Sequence, residues 1–226
     1  MPNEGLADGN FVLNVLGRKR FISVTQAMVV WNSFVKERRT NHDISLGVPR
    51  NVAIPYFKST IEKVASDESW HLVYNFGFSL RESLMILGID SRKRGRICYH
   101  NNNNWWLHKK ENSWAAKQSQ PGYYLIKTKC LFRGRNWRDQ ELLISQMGKE
   151  FSRAPSQVVV ETHVSYFMLN GKFPSLKKYY HLGGEKTSLK KLIYLDFLSR
   201  FITLGQWPSE ACMKDLGVYI ARKPDF

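Results

Sequence analysis

Apolar positions along this chain recur with two periods, and the switches between them predict most of its elements. From Phe11 the pattern runs in twos, with Phe11, Leu13 and Val15 on one side and Val12 and Leu16 on the other. A Gly17-Arg18-Lys19 turn and a return over Phe21 to Val24 complete a predicted β-hairpin. The period then lengthens. Met28, Trp31 and Val35 are spaced for one face of a helix over Thr25 to Arg39, flanked by Ala27 and Phe34 and ending in Lys36, Arg38 and Arg39, where cations suit a C-terminus. Asn41 to Ala53, with Gly47-Val48-Pro49 inside it, reads as a loop. Pro55 opens a second helix to about Ser66, with Phe57, Ile61, Val64 and Ala65 on one side. Ser79-Leu80-Arg81-Glu82 is a capping box; Leu80, Leu84 and Leu87 follow, and Gly88 stops the helix. Some twelve residues, Asp67 to Phe78, separate these two helices, whereas a DNA-reading helix-turn-helix needs a turn of about three or four.

In the second half, Tyr123 to Phe132 is the clearest strand. Tyr124, Ile126, Thr128, Cys130 and Phe132 share one face, and Tyr123, Leu125, Lys127, Lys129 and Leu131 the other. Asn136 caps a helix running to about Phe151, with Leu143, Met147 and Phe151 as its stripe. Pro155 opens another, bearing Val160, Val164, Phe167 and Met168 and stopped by Asn170-Gly171. Together these two read as an αα-hairpin packed on the Tyr123 strand. Strands follow over Leu192 to Leu198, Phe201 to Leu204 and Val218 to Ala221, with a small helix or turn at Ser209 to Lys214. The expectation is an α+β fold: a mainly helical N-terminal half, then a small antiparallel sheet with an αα-hairpin. It is organised either as lobes 1–95 and 96–226 or as one continuous globule.

Composition changes the picture in two ways. Hydrophobic residues make up 43% of the 226, enough for a substantial core. No run approaches the length of a membrane span, the polar start Met1 to Asn10 is no secretory signal, and three scattered cysteines argue for a reducing, cytoplasmic setting. The second change is charge. The net charge is +15, and residues 91–138 supply +11 of it, with twelve Lys and Arg against one acid, Glu111. Four of the seven tryptophans, Trp105, Trp106, Trp114 and Trp137, fall in the same stretch.

Dense cations beside indole rings are the chemistry of a phosphate-tracking surface on which bases stack, so the expected partner is nucleic acid, DNA or RNA. A solvated basic face over ordinary core aromatics fits the same composition. The candidate phosphate contacts are Arg92, Lys93, Arg94 and Arg96 in a short glycine-containing loop, then Lys109, Lys110, Lys127, Lys129, Arg133 and Arg135. Trp105 and Trp106 are the candidate stacking rings. They follow a turn-favouring run, Asn101 to Asn104, and in a strand at most one of them would face the core.

Catalytic and metal chemistry find no support, and neither a cofactor nor a metal is expected. Cys98, His100, His108 and Cys130 have no common zinc spacing. Gly183-Gly184-Glu185-Lys186-Thr187 is not a phosphate loop, because Glu185 separates glycine from lysine. Nothing local pairs Cys130 with His163 or His181 as nucleophile and base. Glu161 and His163, two apart on a helix, diverge. Pro121-Gly122-Tyr123-Tyr124-Leu125-Ile126 is similar to the first half of a GIY-YIG nuclease motif, but the second half does not follow. A binder is expected rather than an enzyme.

One stretch carries a resemblance. Leu198-Ser199-Arg200-Phe201, Pro208, and Asp215-Leu216-Gly217-Val218-Tyr219-Ile220-Ala221-Arg222 resemble the end of formylglycine-generating-enzyme-type C-type-lectin-fold domains, the group that includes variable target proteins of diversity-generating retroelements. The match covers about a tenth of the chain. The family's Gly-Gly-Ser-Trp element and catalytic cysteines have no counterpart. The resemblance implies a non-enzymatic, lectin-like module for a protein or glycan partner in the C-terminal lobe, with contacts around Thr203 to Lys214. The overall pattern also resembles bacterial hypothetical proteins of no assigned activity.

Overall fold

The computed structural model describes residues 5–37, 46, 49, 52–89, 97–100, 105–174 and 180–226. Among these are seven α-helices and a nine-stranded mixed sheet. The centre of the sheet is the strand β9 (Leu216–Arg222). On one side it pairs antiparallel with β4 (Gly122–Leu131). On the other it pairs in parallel with β6 (Tyr180–Lys186) at its start and antiparallel with β5 (Phe151–Arg153) at its end. Beyond β4 lie β2 (Trp70–Asn75) and the short β1 (Phe21–Ile22). Beyond β6 lie β7 (Leu192–Leu198), β8 (Phe201–Trp207) and β3 (Cys98–Tyr99).

This overturns the expected small antiparallel sheet. The sheet is the dominant element, three of its pairings are parallel, and the helices are spread along the whole chain. β2 shows no alternation because all six of its residues are buried, so its sequence lacks the half-polar signature of a surface strand. The glycine pair Gly183-Gly184 disguises β6.

The expected αα-hairpin is absent as well. α6 (Trp137–Met147) sends Ile144 into a cluster with Leu125, Val218 and Ile220. α7 (Ser156–Asn170) buries Val158, Val159, Val160 and Val164 with Ile126, Tyr219 and Ala221. Val218 and Ile220 alternate with Tyr219 and Ala221 along β9, so these two helices cover opposite faces of the sheet, with β5 between them in sequence.

Near the N-terminus, Phe11 does not open a hairpin. Residues Gly9–Leu16 form a helix, α1, capped by the Asp8 carboxylate, which accepts from the Phe11 N–H at 2.8 Å. The buried pair is Val12 and Leu16, one helical turn apart; every second position of this segment is apolar too, which made both periods readable. The other helices keep close to their expected places: α2 Val24–Glu37, α3 Lys58–Ala65 and α4 Leu80–Leu87, the last with both halves of the Ser79–Glu82 capping box formed. Ser209 to Lys214 holds a turn but no helix.

α7 is buried all round from Ser156 to Tyr166, so its polar side chains need internal partners. Glu161 accepts the backbone N–H groups of Phe76 and Phe78 at 2.6 and 2.7 Å, fastening the loop after β2 to the helix. Ser165 accepts the Trp31 indole N–H at 3.1 Å. His163 turns away from Glu161 and stacks on Phe197 at 4.2 Å, and on β6 His181 accepts the Tyr219 N–H at 3.0 Å. No helix among the described residues is long and apolar enough to cross a membrane.

Buried imidazoles give the fold a pH dependence. Burial pushes His71 down to about 4, His163 to about 3, and His181 well below the usual range. Unfolding releases groups that take up protons below about pH 6.5, so stability is full above that value and falls as the pH drops towards the folded-state values, by about 2 kcal/mol for each of His71 and His163 between pH 7 and 5, with His181 acting in the same direction. Glu161 acts in the opposite sense. Its burial outweighs the backbone donors and lifts it to about 8, so acid favours its folded form. Urea unfolding midpoints are expected to fall from pH 7 to 5, and to fall further in Glu161→Gln; a flat profile in both proteins contradicts this balance.

Candidate nucleic-acid interface

Within the basic segment one carboxylate sets the arrangement. Trp105–Leu107 and Lys109–Glu111 form 3-10 turns that lead into α5 (Asn112–Ala115). Glu111, the single acid of residues 91–138, is only 1% exposed. Its carboxylate accepts from the Trp114 indole N–H at 2.6 Å and from the N–H and hydroxyl of Ser188, in the turn joining β6 to β7. Burial pushes its carboxyl upward, but these donors more than offset that and hold it below its ordinary value. The Arg81 guanidinium fixes the same turn from the other side, donating to the carbonyls of Leu107 and His108 at 2.6 and 3.0 Å.

This packing changes the role expected of the tryptophans. Trp106 is 1% exposed, with its ring 5.6 Å from Tyr99, and it is sealed in the core rather than offered to a base. Trp105 is half-buried against the same core, 5.8 Å from Trp114. Consecutive side chains in a 3-10 turn are about 120° apart, against 180° in a strand, so both rings lean inward.

The cations fare differently. Lys109, Lys110, Lys129, Arg133 and Arg135 are exposed, as are Lys117 and Arg138. Lys127 is engaged: it pairs with Asp67 and lies over the Trp70 ring at 5.4 Å. Although burial pushes the Asp67 carboxyl up, hydrogen bonds from Lys127 and Ser69 hold it at about 2. Arg92, Lys93, Arg94 and Arg96 lie outside the described residues, as do Asn101 to Asn104. The Glu111 clamp sets Lys109 and Lys110 beside the β6–β7 turn, which carries exposed Lys190 and Lys191. Among the described residues, three His, Cys, Asp or Glu side chains nowhere gather as a metal site.

Arg133 and Arg135 occupy the turn between β4 and α6, where the Gly134 N–H donates to the Leu216 carbonyl at 3.2 Å. That turn borders the outer face of β6, β7 and β8. There Leu182, Leu192 and Leu216 are buried beneath the half-exposed rings of Trp137, Tyr180, Tyr194 and Trp207. Gly205 lets Tyr194 lie flat across β8, since a Cβ at this position would run into the Tyr194 ring. Lys186 lies over the Trp137 ring at 5.9 Å and the Arg153 guanidinium at 5.7 Å. The Trp137 indole N–H is buried without an acceptor among the described residues.

Several of these residues are absent from the sequence expectation. Trp207 lies three positions past the expected end of its strand, and Trp137 reads as a helix residue. A signal was present in the pairing of alternating Leu192-x-Tyr194 with Gly205-x-Trp207 across a tight hairpin.

Replacing Glu111 with Ala leaves the Trp114 and Ser188 donors unpaired, and chemical denaturation should show a loss of about 3 kcal/mol; a loss under about 0.5 kcal/mol would mean that the clamp holds nothing. No protein-family model matches this chain, and no curated protein or solved structure matches it either.

Proposed function

We propose that this protein binds nucleic acid, with single strands the best fit, across the surface formed by the β4–α6 turn, the start of α6 and the outer face of β6–β8. The observation that carries the reading is a separation of charge within one segment. Residues 105–138 place seven cations in solvent, while the sole acid of that stretch is drawn inside to hold the β6–β7 turn. Cations that face water attract a polyanion and release its counterions. The half-exposed rings of Trp137, Trp207 and Tyr194 beside Arg135, Arg138 and Lys186 supply flat partners for unpaired bases. Trp105 and Trp106 have no part in this stacking, and the phosphate contacts shift towards the α6 end of the basic segment.

Fluorescence anisotropy with labelled single-stranded RNA and DNA 12-mers tests the reading. Affinity should fall steeply with salt. Lys214, exposed beside Gly134 of the β4–α6 turn, joins these cations; Arg135→Glu, Arg138→Glu and Lys214→Glu combined should weaken binding at least about tenfold and reduce the log–log salt slope by about 2. No binding at low salt, or an unchanged slope in the triple variant, refutes it.

A further inference from the structure

A second cationic feature lies at the other end of the sheet, against β2. It is an open cavity of about 660 Å³ whose polar lining is Arg18, Lys19, Arg20, Glu68, His71 and Tyr166. Its size is that of a pocket for a small metabolite. The cationic wall is the turn that follows α1. Gly17, at φ +77°, takes a left-handed conformation that L side chains rarely adopt, and the chain reverses there to set Arg18 and Lys19 in solvent.

Arg20 is fixed in place. Its Nε donates to the Leu16 carbonyl at 2.9 Å, and its Nη1 to the carbonyls of Ala65 and Asp67 at 2.9 and 3.3 Å. Neutral acceptors hold it without cancelling its charge, and no carboxylate pairs with it among the described residues. Three cations therefore face one carboxylate, Glu68.

The opposite wall is a positioned imidazole. His71 is 4% exposed, and its Nδ1 sits 3.1 Å from the Ser69 carbonyl and 3.2 Å from the Thr128 hydroxyl oxygen. The Thr128 hydroxyl itself donates to the Ser69 carbonyl at 3.0 Å, so Nδ1 is the protonated nitrogen and Nε2 keeps its lone pair. Nε2 has no partner among the described residues. Burial, the largest influence, together with the Arg20 charge, keeps the ring neutral. Tyr166 meets it edge-on at 5.1 Å, and its phenol likewise has no hydrogen-bond partner among the described residues. A fixed excess of positive charge thus stands beside one acceptor and one hydroxyl, both uncommitted.

We infer that this cavity binds a small phosphate monoester bearing free hydroxyls, of the size of a sugar phosphate or mononucleotide. The phosphate meets Arg18, Lys19 and Arg20; a ligand hydroxyl donates to His71 Nε2; and Tyr166 closes the site. The inference does not rest on the nucleic-acid reading, since it uses none of the same residues.

Isothermal titration of the full chain with ribose 5-phosphate tests it, with ribose and inorganic phosphate as separate probes. Ribose 5-phosphate is expected to bind at least about tenfold more tightly than either fragment. Arg18→Glu with Lys19→Glu, both exposed, should lose about tenfold, and Tyr166→Phe, which removes only an oxygen, about fivefold, each with an unchanged unfolding midpoint. Adenosine 5′-monophosphate in parallel separates the two sources. Tighter binding than ribose 5-phosphate identifies a nucleotide and equal binding a sugar phosphate, and either supports the site. Absence of ribose 5-phosphate binding at millimolar concentration, affinity no better than that of inorganic phosphate, or full affinity in either variant overturns it.

Discussion

The pairing of β9 with strands on both its sides is the constraint from which the rest of this structure follows. The strand comes late in the sequence yet occupies the middle of the sheet, and six of its seven residues, Leu216 to Ala221, are buried. Its two faces divide the interior. Val218 and Ile220 belong to the cluster that includes Ile144 of α6, while Tyr219 and Ala221 belong to the cluster that includes α7. Because β4 lies on one flank and β5 and β6 on the other, parts of the chain far apart in sequence share one hydrogen-bonded surface. The β4–α6 turn comes to rest beside the β6–β8 outer face through the same strand, by way of the Gly134–Leu216 bond.

On that frame the charge pattern acquires a direction. A basic composition says only that a polyanion is a suitable partner. The structure adds that the acid of the basic segment is consumed internally, in bonds to Trp114 and Ser188, and that the cations remain outside. Lys127 shows the alternative fate: it is held by Asp67 over Trp70 and contributes to packing rather than to a surface field. In the proposed reading, electrostatic attraction to a nucleic-acid strand is followed by stacking on rings that the sheet already holds in place.

Much of the fold was legible where local chemistry acts alone. The Ser79–Glu82 box, the Asn136 cap and the Asn170-Gly171 stop each identify a helix end from side-chain hydrogen bonding or backbone freedom, and each appears at the expected residue. β2 was not legible: all six of its residues are buried, so it carries no alternation, and its place is fixed by pairing with the distant β4, whereas the equally buried β9 was readable over Val218 to Ala221 from its apolar run. The excess of cations in residues 91–138 could be read directly. The direction of the indoles could not, because it depends on whether Trp105 and Trp106 sit in a strand or a 3-10 turn, and that is decided by Glu111 reaching Ser188. Gly205, which looks like a weak point in a strand, is the position that accommodates Tyr194.

Hydrogen–deuterium exchange with and without a 5′-hydroxyl oligouridine reads the location of nucleic-acid binding on this sheet as well as its occurrence. Protection is expected to be confined to the turn at 133–138, to 186–191 at the end of β6, and to 203–214, with exchange at 17–22 and 68–73 unchanged. Protection centred on the β1–β2 end of the sheet, or none under low-salt conditions, would contradict this placement.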